Sequence, residues 1–178
     1  MKTKLKTSLL ILAVLSAINV NAQNINPKVG VGLNSEIFSM PLNSDFSEIS
    51  TDVFVSYYFN PKIQMFVASR RNILLNTNTN QFENRGAGLI GFGYCFQRDS
   101  ASNFSILIQA MYGNTLNKSV SYKEHIFDLG INFYFYKMFY LGTGLKSSYV
   151  ETSKFVNLPN QNINWYWRLG FRLNMGKK

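Results

Sequence analysis

The feature that most constrains this chain is a strict two-residue alternation near its C-terminal end. Trp165, Trp167, Leu169, Phe171 and Leu173 fall on one parity, and Asn164, Tyr166, Arg168, Gly170, Arg172 and Asn174 on the other. Successive side chains of an extended strand point to opposite faces, so this segment makes a strand with one oily and one polar face. Residues 124–136 repeat the code, with Phe127, Leu129, Ile131, Phe133 and Phe135 opposed to Asp128, Gly130, Asn132, Tyr134 and Tyr136. A helical period of 3.6 is hard to find after Pro27, and clusters of Asn, Ser, Thr, Gly and Pro separate the alternating runs. The fold class read here is all-β.

Eight strands are predicted, at residues 28–37, 50–59, 63–72, 85–96, 104–113, 124–136, 139–150 and 163–175. Each is close to the 9–11 residues with which a tilted strand crosses a bilayer. The links alternate in length. Asn60-Pro61-Lys62, residues 97–103 and the neighbourhood of Lys137 are short, whereas 39–49, 73–84, 114–123 and 151–162 are longer and rich in Asn and Ser. Short turns at one end and long loops at the other describe an up-and-down antiparallel barrel.

Register follows from the turn centres. A turn centred on Lys137 sets Leu129 opposite Leu145, Phe133 opposite Leu141, Phe135 opposite Phe139 and Asp128 opposite Lys146. A turn centred on Pro61 sets Val55 opposite Val67, Tyr57 opposite Met65 and Asp52 opposite Arg70. Like faces meet and opposite charges meet, as a correct antiparallel pairing requires.

Composition bears on which face looks outward. Hydrophobic residues make up 46% of the chain and aromatics 15%, but only 15% of residues are charged, against roughly 25% in an average globular domain. A water-facing exterior calls for more charge than that, so a membrane-facing oily exterior is expected. A soluble, lipocalin-like barrel with its oily face inward is the competing arrangement. With the oily face outward, Tyr57, Phe59, Phe135, Phe139 and Trp165 form an aromatic girdle at the headgroups. Asp52, Arg70, Asp128, Lys146, Arg168 and Arg172 then form a salt-bridge network filling a lumen too narrow for much besides side chains. A narrow conducting pore is the alternative use of those charges.

Residues 1–22 read as a signal peptide. Lys2, Lys4 and Lys6 precede an apolar stretch from Leu9 to Ile18, and Val20-Asn21-Ala22 supplies the small-residue exit. That stretch is too short to span a bilayer as a helix. Taking its three lysines from the formal charge of +9 leaves +6 for residues 23–178, read as one barrel domain. The basic residues are dispersed, with Arg70-Arg71 and Lys177-Lys178 the only doublets, which does not make a phosphate-tracking nucleic-acid face. Cys95 is the sole cysteine, excluding an internal disulfide, and no Cys/His cluster has metal-ligand spacing. No cofactor is expected.

On these features the chain resembles the small outer-membrane β-barrels of the OmpA/OmpX type over nearly all of residues 23–178. The run Arg168 to Met175 is similar to the C-terminal signal read by the barrel-insertion machinery, with Gly170, Leu173 and Met175 at its marked positions. It departs in having Leu173 and Met175 where aromatics are usual, and in continuing through Gly176-Lys177-Lys178. The resemblance implies an eight-stranded antiparallel transmembrane barrel in the outer membrane of a Gram-negative bacterium. It implies contact with outer-membrane lipid and the insertion machinery, a monomeric state, and polar loops available to an extracellular partner. Some barrels of this size are lipid A deacylases with a His, a Ser and an acidic residue at the outer rim. His125, with Ser147 and Glu151 a strand away, is the candidate here, but Phe127 stands where the His-x-Ser motif of those enzymes has serine. A non-enzymatic barrel is the reading adopted.

Overall fold

In the computed structural model, which describes residues 29–96, 104–116, 123–135, 138–152 and 160–175, the chain is a closed barrel of eight antiparallel strands in sequence order. They are β1 (Val29–Pro41), β2 (Phe46–Tyr58), β3 (Ile63–Asn76), β4 (Phe82–Cys95), β5 (Phe104–Thr115), β6 (Lys123–Phe135), β7 (Phe139–Thr152) and β8 (Gln161–Met175). β1 and β8 pair along twelve positions, so no sheet edge is left open. The signal peptide, the link at 97–103 and the turn centre at Lys137 lie outside the described residues.

The expected register is the observed one. β2 and β3 pair Val55 with Val67, Tyr57 with Met65 and Asp52 with Arg70. β6 and β7 pair Leu129 with Leu145, Phe133 with Leu141, Phe135 with Phe139 and Asp128 with Lys146. Following paired residues once around the barrel leads from Val29 through Tyr57, Met65, Phe92, Ala110, Leu129, Leu145 and Trp165 back to β1 at Met40. Allowing for one extra residue at the bulge between Glu36 and Phe38, the stagger is about ten residues, which tilts the strands by roughly 40°. At eight strands that geometry leaves an interior that side chains can fill.

The strands are longer than expected, at 12 to 15 residues. β1 and β2 continue until residues 42–45 alone connect them, and β3 and β4 are joined by 77–81. In these extensions the inner face stays buried, at Phe46, Glu48, Leu74 and Glu83, but it mixes charged and apolar residues, so the alternation that marks a strand in sequence disappears while the backbone ladder continues. Side chains knit these extensions: Asn43 donates to the Gln161 carbonyl and accepts from the Ile163 amide, both at 2.8 Å. Asn76 Oδ1 accepts from the amides of Asn78 and Thr79, and Asn80 takes a left-handed conformation (φ 55°) that asparagine tolerates.

Polarity is inside out. Glu36, Glu48, Asp52, Arg70, Arg85, Asp128, Lys146 and Arg168 are buried in the lumen, while Leu33, Val53, Val67, Ile90, Leu129, Leu145 and Leu169 are exposed on the outer wall. The soluble, oily-inside arrangement is therefore not the one this chain adopts. Part of the lumen is nevertheless apolar: Phe54, Phe66, Ala68, Leu89, Leu107, Met111 and Ile126 cluster against the inner wall of β2–β6, with Cys95 among them as a free, packed thiol.

Gly170 shows how tightly the remainder is packed. A Cβ there would fall within the ring of Tyr140, which lies flat over the glycine. Replacing Gly170 with Ala is expected to lower stability by about 1–3 kcal/mol through overpacking, seen as a reduced urea midpoint with an unchanged m-value.

Candidate functional site: the charged lumen and its aromatic rims

The middle of the lumen is built on Asp128, which is 0% exposed. Arg70 grips Asp52 with two parallel bonds, Nε to Oδ1 at 2.6 Å and Nη2 to Oδ2 at 2.8 Å, and its Nη2 also donates to Asp128 Oδ2 at 2.5 Å. The Tyr166 hydroxyl donates to Asp128 Oδ1 at 2.5 Å, and Arg168 Nη1 lies 3.7 Å from Asp128 Oδ2. Arg168 Nε in turn donates to Asn132 Oδ1, whose amide nitrogen donates to Gln109. Strands β2, β3, β5, β6 and β8 thus meet around one carboxylate.

Toward the long-loop end, Lys146 Nζ bonds both oxygens of Glu36 at 3.1 and 2.9 Å, the Glu48 carbonyl at 3.1 Å and the Ser50 hydroxyl at 2.5 Å. Its distance to Glu48 Oε1 is 3.5 Å, and Ser148 donates to Glu48 Oε2. Arg85 sits between Glu83 at 3.1 Å and Glu124 at 3.3 Å. At the short-turn end Arg172 donates to Gln64 and lies over the rings of Tyr134 (4.1 Å) and Tyr58 (5.4 Å). Six buried carboxylates thereby face five buried bases among the described residues, so the interior is close to electroneutral. A cavity bordered by Asn34, Asp52, Phe54, Gln109 and Tyr140 measures about 10 Å³, the room of one water molecule.

At two places the charged heads part from the strand register. Asp128 and Lys146 are register partners but form no ion pair: the Lys146 amine reaches across to β1 and β2, where two carboxylates and a hydroxyl converge, and Asp128 is already held by two guanidiniums and a phenol. Arg172 has no carboxylate partner among the described residues and is held instead by ring faces and an amide. Glu36, Glu48, Glu83, Arg85 and Glu124 were not anticipated. The first borders the β1 bulge, and the others lie in segments read as loop or strand tip. Parity was the available signal, since Glu48 and Asp52 share the inward parity of β2, as Glu83 and Arg85 share that of β4.

The outer wall carries aromatic rims at both ends. Tyr57 and Phe59 make an edge-to-face pair at 5.3 Å, Phe135 is opposite Phe139, and Tyr94, Phe96, Phe104 and Phe171 complete the short-turn rim. Trp165 lies at the other end, against Phe38 and Trp167, with its indole N–H donating to Thr143 at 2.9 Å. Leu173 and Met175 are exposed on this wall, whereas Gly170 faces the lumen under Tyr140.

His125 occupies the loop-side rim, opposite Tyr149 and beside Tyr112. The Tyr112 hydroxyl is 2.9 Å from its Nδ1, and its Nε2 is 3.3 Å from Glu151 Oε1, with Lys123 3.7 Å from the same carboxylate. A carboxylate only accepts, which places the imidazole proton on Nε2 and makes Nδ1 the acceptor of the phenol. Both ring nitrogens are thus taken by Tyr112 and Glu151, and the Ser147 hydroxyl accepts from Gln161 Nε2 at 2.9 Å. Among the described residues, no group of three or more His, Cys, Asp or Glu side chains is arranged to hold a metal ion.

Comparison with protein-family models finds no match, and neither does comparison with curated proteins. Among solved structures, the N-terminal β-barrel domain of Pseudomonas aeruginosa OprF is similar, with a TM-score of 0.47 and 10% sequence identity, over 82% of this chain and 97% of that one. A likeness that distant leaves the role to be read from the side chains themselves.

Proposed function

We propose that this chain is an integral outer-membrane barrel of a Gram-negative bacterium, made with a signal peptide at 1–22 and a barrel domain at 23–178, which serves the envelope without catalysing a reaction. The carrying observation is the inverted polarity: a wall of exposed Val, Ile and Leu, ringed by aromatics at both ends, around a lumen of bonded charges. Water-soluble barrels have no use for such a wall, whereas a bilayer solvates it at no cost. The short turns face the periplasm and the Asn- and Ser-rich loops face outward, where they are available to an extracellular partner. The bonded lumen and its one-water cavity support a plugged, non-conducting barrel, and the engagement of both His125 nitrogens by Tyr112 and Glu151 supports a non-enzymatic one. Contact with outer-membrane lipid, delivery by the barrel-insertion machinery through Gly170, Leu173 and Met175, a monomeric state and the absence of a cofactor complete the reading.

Membrane fractionation followed by gel migration with and without boiling tests it. The expected result is protein in the outer-membrane pellet whose unboiled form migrates faster than the boiled one, as a folded barrel does. Protein in the aqueous fraction with no shift overturns the proposal.

A further inference from the structure

The loop-side aromatic rim is incomplete. It runs over β5, β6, β7, β8 and β1 through Tyr112, His125, Tyr149, Trp165 and Phe38, then stops. On β2, β3 and β4 that tier carries Thr51, Ser69, Arg71 and Gly86 instead. Arg71 is the ninth residue of β3 counted from the short-turn end, the length a tilted strand needs to cross the apolar layer, so its Cα stands at the outer interface. It is exposed, and no described residue bonds its guanidinium. The other outward-facing formal charges in the described strands, Lys123 and Glu151, pair with each other at the strand tips.

The surroundings of Arg71 are those of a shallow notch. Its register partners are Thr51 and Gly86, and Thr51 is opposite Ser35, the two hydroxyls being 3.1 Å apart. A Cβ on Gly86 would meet nothing within 4 Å, so there is open space over it, whereas one step below Leu116 folds over Gly88 and closes the notch. Beneath lie Val53, Val67 and Ile90, about half exposed. A permanent cation with a forked donor set, neighbouring hydroxyls and open space over a glycine, above an aliphatic wall, is complementary to a phosphate carrying acyl chains. A second copy of the chain is a poorer fit, since a twofold contact on this patch brings Arg71 against Arg71.

We infer that the notch formed by Ser35, Thr51, Arg71 and Gly86 holds the phosphorylated headgroup of an outer-leaflet lipid, with its acyl chains along Val53, Val67 and Ile90. This rests on the outer-membrane reading. The test uses the refolded barrel in non-ionic detergent micelles containing bis-phosphorylated lipid A, its dephosphorylated form, or no added lipid, with bound lipid counted by native mass spectrometry and folding checked by heat-modifiability. The expected result is one phosphorylated lipid per barrel, not displaced by excess inorganic phosphate. Arg71→Gln is expected to weaken retention about tenfold, Arg71→Lys by no more than about threefold, and Gly86→Leu, which keeps the charge but fills the notch, by about as much as Arg71→Gln. Equal retention of the dephosphorylated lipid, displacement by inorganic phosphate, unchanged retention in Arg71→Gln, or a dimer dissolved by that substitution each overturns the inference while a heat-modifiable band leaves the membrane reading standing. A chain with no heat-modifiable form overturns both.

Discussion

Asp128→Asn is expected to lower the unfolding free energy of the barrel by at least about 3 kcal/mol, the largest effect of any single isosteric change in the lumen. The substitution keeps the volume and removes the charge that Arg70, Arg168 and Tyr166 share. Arg70 keeps both bonds to Asp52 and loses only the charge of its second carboxylate, whereas Arg168 keeps its Nε bond to Asn132 but loses the carboxylate 3.7 Å from its Nη1, in a site with no access to bulk water. Guanidiniums do not discharge by losing a proton, so the penalty remains as uncompensated buried charge. Urea unfolding in lipid vesicles measures the loss. Repeating it on Arg168→Gln and on the double variant separates network from bulk effects: the double variant is expected to be less destabilised than the sum of the two single changes, because removing the cation relieves what removing the anion exposed. Strict additivity would mean that Asp128 and Arg168, 3.7 Å apart, do not interact.

Ile131→Arg is the second large expectation, and it reads orientation instead of packing. Ile131 is exposed on the outer wall of β6, four residues from Phe127 on one side and four from Phe135 on the other, midway between the rims. In water an exposed isoleucine accepts arginine at little cost. At the centre of a bilayer the same change costs about 2–4 kcal/mol, and a residue near the interface much less. Measured side by side in vesicles, Ile131→Arg is expected to be destabilising by that amount and Tyr149→Arg, at the loop-side rim, by about 1 kcal/mol or less. Equal, small effects at the two depths would show that no apolar layer surrounds the barrel.

Fold and register were legible in the sequence because one face of each strand meets a uniform environment. Around Asp52, Arg70, Leu129 and Leu145 the two-residue period is unbroken, and the turn centres fixed the pairing. Legibility failed in two physically distinct ways. Glu48, Glu83 and Glu124 lie near strand tips beside Ser47, Asn84 and Lys123, so polar residues stand on both parities and the alternation lapses. In β4 and β5 the lumenal residues Ala87, Leu89, Leu107 and Met111 are as apolar as the wall, which hides the oily half of the interior. The partners within the network were illegible for a third reason. A lysine or arginine side chain is long enough to cross the lumen, so strand register fixes where its Cα stands and not which carboxylate its head reaches, as Lys146 shows.

Lys146 also ties together parts of the chain that are made far apart. Glu36 enters in β1 and its amine partner 110 residues later in β7, and Arg70 waits 58 residues for Asp128. A sheet containing only β1 to β5 would hold Glu36 and Glu48 without Lys146, and Arg70 without Asp128. A partly formed barrel is thereby penalised electrostatically, and closure becomes concerted. Contacts of such wide separation also make closure slow, so the time spent unclosed is long and the need for an escort during it correspondingly great.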